Sequence, residues 1–287
     1  MTGRGVRPRF FIDAGLAGLG HPSDLAGAVG REITLNSGDA HHARRVLRSR
    51  AGEGAELVLE PGGRVLEGVF VEVGDAVVVR VEAVAPAPPP ARADILLVQG
   101  LPEPRKVDEI VEKGTEVGVD SFLVVPAAGS PAVPVARLGE RATRWTRVAR
   151  EAARQSRQLK APRVEVASSL GAARERAAAE GRLSIVLDPW GMVSLAEALD
   201  SVSPAGPRGT SAPTSGGAAA RPDTPEDGAP PLLLALWVGP EGGWSDDERA
   251  AFAQAGMASA TLGRRVLRTE TAGPVAAAVC RFALRDW

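Results

Sequence analysis

The run Asp94-Ile95-Leu96-Leu97-Val98-Gln99-Gly100 opens the stretch that decides the fold. It is continuously apolar before a polar, glycine-ended tip, the pattern of a strand covered on both faces. Arg105–Gly118 follows, with Val107, Ile110, Val111 and Val117 on one helical face and Gly118 as a stop. Ser121–Pro126 then reads as a second strand. The same alternation continues downstream. A long helix is expected through Arg141–Gln158, a third strand at Ser184–Pro189, a fourth at Leu232–Gly239 and a fifth at Ser259–Gly263. A helical segment from Thr271 to Trp287 closes the chain. Strand and helix in alternation imply an α/β domain over 94–287.

Upstream, the period changes from helical to two. Val69, Val71 and Val73, then Val77, Val79 and Val81, alternate as half-buried strands do, with Gly-Asp at the turn between them. With Arg31–Asn36 and Gly54–Glu60 they form a small β-barrel over 1–84, with one helix-sized excursion at Ser37–Arg48. The prolines of 85–93 stiffen an extended linker. Residues 201–231 interrupt the α/β order: 25 of these 31 positions are Ala, Gly, Pro, Ser or Thr. Such a segment buries too little apolar surface to offset its ordering entropy, and it reads as a flexible insertion without a catalytic role.

Composition narrows the function classes. At 44% hydrophobic residues the 287-residue chain is globular, and no run approaches the ~20 apolar residues of a membrane span. The start, Met1–Phe10, lacks the apolar stretch of a signal peptide. A lone cysteine, Cys280, allows neither an internal disulfide nor a cysteine zinc site, and reads as a buried thiol. The expectation is a cytoplasmic protein that needs no metal. Net charge is only −1, yet residues 137–163 carry nine basic against two acidic residues, and 1–50 carry eight against four. Clustered cations, not the total, are what phosphate contact requires. Arg141, Arg144, Arg147, Arg150, Arg154 and Arg157 recur at three- and four-residue steps, a drifting stripe along one helix. Trp145 in the same helix reads as a core anchor, His41 and His42 as structural or RNA-facing, and Glu151 with Gln155 as helix-surface support.

Two glycine-bearing loops carry the chemistry. Val238-Gly239-Pro240-Glu241-Gly242-Gly243-Trp244 follows a buried strand and leads into Ser245–Glu248, a capping-box pattern. Three glycines in these five positions, 239–243, allow the backbone to approach a ligand and present its N–H and C=O groups. Leu262-Gly263-Arg264-Arg265-Val266-Leu267-Arg268-Thr269-Glu270-Thr271-Ala272 again runs from a strand through a charged loop to a helix start. Loops from neighbouring strands at the carboxyl edge of an α/β sheet shape one pocket. Neither a GxGxxG after the early strands nor a GxxxxGK[ST] occurs, which disfavours an ordinary dinucleotide site and excludes a P-loop.

These residues resemble the paired GPEGG and LGxRxLRxETA motifs of the RsmE family, ribosomal RNA uridine-N3 methyltransferases. The resemblance extends to Phe10-Phe11, His41–Arg48, Gln99–Pro102, Lys113–Val119, Arg144-Trp145 and Glu151–Ser156, in order along nearly the whole chain apart from the insertion. It implies a PUA-like β-barrel followed by a SPOUT α/β domain whose C-terminal segment forms a trefoil knot. It also implies a homodimer, S-adenosylmethionine bent within the knot loops, and a uridine of 16S rRNA in the assembled 30S subunit as substrate. On that reading Leu187, Gly239, Glu241, Gly242, Gly243, Leu262, Gly263 and Leu267 surround the cofactor. Glu270 is the base or base-orienting group, and Arg268 neutralises charge developing on the uracil oxygens or grips phosphate. Arg9, Arg44, Arg45, Arg48, Arg144, Arg147, Arg154 and Arg157 are the candidate RNA contacts. Glu103, Gly129 and Gln158 depart from the family, each removing a positive charge from an RNA-facing position. Two alternatives stand beside it, a non-catalytic RNA-binding assembly factor and a SPOUT enzyme acting on tRNA. The intact Gly239–Gly243 and Leu267–Ala272 argue against the first, and the β-barrel with His41–Arg48 against the second.

Overall fold

The computed structural model describes residues 7–15, 17–19, 25, 27–202 and 230–286. The insertion at 201–231 falls almost wholly outside the described residues. Two compact units are present: Met1–Pro89 with Arg150–Ala161, and Pro90–Ala149 with Pro162–Trp287.

The first unit is a curled half-barrel. Strands β1 (Arg9–Asp13), β2 (Glu32–Thr34), β3 (Gly54–Glu60), β4 (Val65–Val73) and β5 (Val77–Val84) lie in the order β1-β3-β4-β5-β2. The β3–β4 and β4–β5 pairs are antiparallel, whereas β1 runs parallel to β3. Alternate residues turn inward, so Phe10, Leu57, Leu59, Leu66, Phe70, Val77, Val79 and Val81 form one core. The expected excursion begins as helix α1 (Ser37–His41), capped by the Asn36 side chain, and widens into a π-helical turn over His42–Leu47. Arg48, at φ 55°, ends it.

The second unit is α/β. Its sheet contains β6 (Ala93–Gly100), β7 (Ser121–Val125), β8 (Arg163–Val166), β9 (Leu183–Leu187), β10 (Val193–Ser194), β11 (Leu232–Val238) and β12 (Ala258–Thr261). All six neighbouring pairs are parallel, in the order β10-β12-β9-β11-β6-β7-β8. The crossovers use α2 (Pro104–Glu116), α3 (Val135–Gln155), α4 (Leu170–Ala179), α5 (Leu195–Val202) and α6 (Asp246–Gln254), and α7 (Thr269–Ala283) follows the last strand. Pro104 starts α2, where its missing N–H costs nothing, and Gly118 at φ 92° ends the turn after it. Helices cover both faces of the sheet, which explains the continuous apolar runs of β6 and β11. One core holds Ile95, Leu97, Val107, Ile110, Trp145 and Cys280, and the other Leu96, Val98, Trp237, Trp244 and Phe252. Trp145 is the anchor its helix pattern predicts. No described helix is long and apolar enough to cross a membrane.

Candidate active site

The strands β9, β11, β12 and β6 end at one edge of the parallel sheet, and the loops leaving them meet there. After β11 the chain turns at once: the Gly243 amide donates to the Pro240 carbonyl over 2.9 Å, with Gly243 at φ 71°. A Cβ on Gly239 would stand 2.9 Å from the backbone of Gly243, so only glycine lets the loop close on itself. Ser245 then opens α6 with the reciprocal capping box expected, its hydroxyl receiving the Glu248 amide over 3.2 Å and Glu248 receiving its amide over 2.8 Å.

The second loop is tied to the first by a buried polar chain. Gln99, 1% exposed at the tip of β6, donates from Nε2 to Thr269 Oγ1 at 2.9 Å, and the Thr269 hydroxyl donates to the Gly239 carbonyl at 2.6 Å. Gln99 Nε2 also reaches the carbonyls of Gly100 at 2.9 Å and Gly239 at 3.2 Å. One side chain thus fixes the distance between the glycine loop and the start of α7.

Together the loops enclose a cavity of about 520 Å³. Leu187, Gly239, Glu241, Gly242, Gly243, Leu262, Leu267, Arg268 and Glu270, all candidates from the sequence, line it. Gly263 does not. At φ 106° it forms the turn behind the wall, its amide donating to Thr261 Oγ1 over 3.2 Å. Several wall residues were not singled out from the sequence, among them Lys106, Asp188, Trp190, Arg249 and Thr269. Lys106 was legible only as a basic residue near the tip of β6; Trp190 follows a strand end in an Asp-Pro-Trp-Gly turn that carries no period.

Charge in the cavity is ordered around Lys106. Its ammonium lies 3.0 Å from Glu241 Oε1 and 3.6 Å from Glu270 Oε2. Glu241 also accepts the Glu103 amide at 3.0 Å. The hydrogen bond to Glu241 holds the Lys106 pKa above its usual value against a smaller opposing effect of burial, so Lys106 is a fixed cation and not a base at neutral pH. Burial pushes the Glu241 carboxyl up, but the backbone donors and Lys106 outweigh it and the net shift is downward. Glu270 has an 11% exposed side chain, and its Oε2 receives no hydrogen bond. Arg268, 86% exposed, stands 3.9 Å from Glu270 Oε1. Also in the lining, the buried Asp188 pairs with Arg249 Nε at 2.6 Å. Among the described residues, no group of three or more His, Cys, Asp or Glu is placed to hold a metal ion.

The arginines expected to face RNA divide into two sets. Arg9 is 7% exposed and paired with Glu56 at 2.7 Å, and Arg157 pairs with the same carboxylate. Arg154 is held by Asp39 and Glu151. Arg144 pairs with Asp108 at 2.6 Å while staying exposed. Arg45, Arg48 and Arg147 are exposed, and Arg44, also exposed, donates to the Gly74 carbonyl at 2.6 Å.

The sequence model of a family described as RNA methyltransferase domain matches residues 89–213 and 219–281. A ribosomal RNA small subunit methyltransferase E of Mycobacterium bovis is 34% identical over 86% of this chain and 85% of its own length. The chain belongs to the ribosomal RNA small subunit methyltransferase E family. It is an RNA methyltransferase. The family protein of Synechocystis is 27% identical over 86% of this chain and 71% of its own. The crystal structure of the Neisseria gonorrhoeae family protein, bound to S-adenosyl methionine, superposes with a TM-score of 0.68, 20% identity, and coverage of 96% of this chain and 98% of that one. At that identity the likeness is one of fold, and it spans both the half-barrel and the parallel sheet.

Proposed function

We propose that this chain transfers a methyl group from S-adenosylmethionine to N3 of a uridine in 16S rRNA. The observation that carries the reading is the cavity at the carboxyl edge of the sheet, walled by two glycine loops and holding Glu270 beside Lys106. The cofactor is part apolar and part charged. Leu187, Leu262 and Leu267 offer apolar wall, Gly239, Gly242 and Gly243 offer backbone groups without side-chain bulk, and Lys106 and Glu241 offer both signs of charge. When bound, the sulfonium would supply the electrophilic methyl carbon, its sulfur keeping the pair of the broken S–C bond as a neutral thioether.

The chain's own residues do the rest. Gln99 and Thr269 hold the loops at a fixed separation, a positioning task. Glu270 takes the N3 proton as the N3–H electron pair becomes the new N–C bond. Its Oε2 is buried and faces the Lys106 ammonium at 3.6 Å, beyond hydrogen-bond distance, which leaves it an acceptor for that proton. Arg268 offsets negative charge developing on the uracil oxygens. The target base must leave its stack to reach this depth.

The finer architecture follows the same reading. We infer a PUA-like, RNA-binding fold for 1–84, a linker at 85–93, and a SPOUT trefoil knot within 94–287. The sheet order supports the knot: β12 lies beyond β9, while α7 returns to pack on β11, β6 and α2. A homodimer is supported by Val275, Val279 and Phe282, which sit at helical spacing on α7 and stay 37%, 36% and 79% exposed. We place the enzyme in the cytoplasm, acting on the assembled 30S subunit. Mass spectrometry of rRNA nucleosides from a deletion strain tests the function. Loss of 3-methyluridine from 16S rRNA, restored by the wild-type gene, is expected; an unchanged level overturns the proposal.

A further inference from the structure

With Arg9 and Arg154 held by Glu56 and Asp39, and the exposed Arg157 also paired with Glu56, part of the charge expected to meet RNA is spent in ion pairs within the fold. The rim of the cavity offers another surface. Trp190 is 80% exposed and Val266 72% exposed, and both line the cavity. Met192, two residues on, is 93% exposed. Next to them the run Leu262–Arg268 carries three arginines and no acidic residue, and Arg264 and Arg265 are exposed. A water-exposed indole on a surface loop is common where that loop is loose. Here the backbone is clamped. The Asp188 amide donates to the Ala260 carbonyl at 3.0 Å, the Gly191 amide to the Asp188 carbonyl at 2.9 Å, and the Trp190 amide to Asp188 Oδ1 at 2.9 Å. Gly191 is pressed so closely on β12 that a Cβ would fall 2.6 Å from the Ala260 carbonyl carbon. The turn is therefore fixed against the loop that bears the arginines, and the indole is held out from it.

We propose that the cavity rim is a platform for unpaired RNA, on which Trp190 stacks a base adjoining the target uridine while Arg264 and Arg265 contact the flanking phosphates. Rigid aromatic faces bind single-stranded bases by stacking, and neighbouring cations follow the backbone. Charge decides the occupant: a cationic rim around an aromatic face suits a polyanion, whereas the uncharged stripe on α7 suits a second copy of the chain. The proposal deepens the methyl transfer proposed above and rests on it for the identity of the RNA.

The test uses full-length protein and a fluorescent single-stranded oligouridylate, with binding read by anisotropy. Trp190→Ala weakens binding roughly tenfold, Trp190→Phe recovers most of it, and a base-paired RNA of equal length binds alike to wild type and variant. Replacing Arg264 and Arg265 by Ala flattens the salt dependence, by about 0.7 in log–log slope for each phosphate no longer neutralised. In Trp190→Ala the melting temperature stays at its wild-type value, and the calorimetric affinity for S-adenosylmethionine falls by less than the affinity for the oligouridylate. Oligouridylate binding unchanged in Trp190→Ala overturns the proposal. So does a matching loss of cofactor affinity, which makes Trp190 a cofactor contact, or dissociation of a dimer by sedimentation with RNA affinity per protomer intact. Methylation of 30S subunits by the wild-type protein is scored separately; its failure refutes the proposed function and leaves the binding result standing.

Discussion

Thr269→Val tests whether the polar chain from Gln99 sets the cavity. The substitution keeps side-chain size and branching but removes a hydroxyl that accepts from Gln99 Nε2 at 2.9 Å and donates to the Gly239 carbonyl at 2.6 Å. Two hydrogen bonds at a net ~1 kcal/mol each give a loss of about 2 kcal/mol. Neither remaining partner is orphaned, because Gln99 Nε2 keeps the Gly100 carbonyl at 2.9 Å and Gly239 keeps Gln99 at 3.2 Å, so the larger penalty for a stranded buried group does not apply. A methyl cannot sit 2.6 Å from a carbonyl oxygen, however, and its retreat pushes the glycine loop and the start of α7 apart. At ~2–4 °C per kcal/mol for a unit of this size, melting falls by roughly 4–8 °C. Calorimetry with S-adenosylmethionine then gives a Kd about tenfold higher, equivalent to ~1.4 kcal/mol of lost preorganisation. Thr269→Ser retains the hydroxyl and restores both values. If Thr269→Val melts and binds like wild type, the two loops are not held by this chain of bonds and the reasoning fails.

Three further outcomes follow from the same structure. Glu270→Gln keeps cofactor binding and lowers the methylation rate roughly 10²–10⁴-fold; full methylation at normal cofactor affinity removes Glu270 as the base. Burial pushes the Cys280 thiol up to about 12, so a thiol reagent modifies it only on unfolding; its neutral-form contribution to stability is complete below about 9.0, the unfolded value, and is lost as pH rises toward 12, which alkaline denaturation of Cys280→Ala against wild type resolves. Burial raises the Glu56 carboxyl, but hydrogen bonds from Arg9 and Arg157 outweigh it and its pKa is lowered. Its stabilisation is therefore present above 4.5 and lost as pH falls through the lower folded value, and Glu56→Gln abolishes that acid dependence while destabilising the first unit by about 3 kcal/mol in urea melts at neutral pH.

The parallel sheet and the site at its edge were readable because both rest on local pattern. β6 and β11 declare themselves by apolar length, and the loops by glycines at strand ends. What stayed hidden is what tertiary pairing alone creates. Arg9–Asp13 holds three buried residues in succession, without alternation, and becomes a strand because β3 offers it a parallel partner. Arg163–Val166 and Val193–Ser194 are too short to carry a period and exist through pairing with β7 and β12. Gln99 was visible as a residue of a motif, but its amide's reach to residues 140 and 170 positions away was not.

The arginine stripe on α3 shows how a correct local reading can mislead about partners. Three- and four-residue steps do place Arg141 to Arg154 along α3, whereas Arg157 lies past the end of the helix at φ 62°; a helical step of 100° per residue also lets a stripe drift around the axis, so its members meet different neighbours. Arg147 stays in solvent, Arg144 meets Asp108, and Arg150, Arg154 and Arg157 meet Glu60, Asp39 and Glu56. A cation within reach of a buried carboxylate is held there, since leaving that carboxylate unpaired costs several kcal/mol, whereas an RNA phosphate contact competes with water and salt. Burial of both partners therefore separates structural arginines, Arg9 and Arg154, from those open to nucleic acid. By that criterion Arg147 on α3, Arg45 and Arg48 beside the π-helical turn, and Arg264 and Arg265 at the cavity rim remain available to a phosphate backbone.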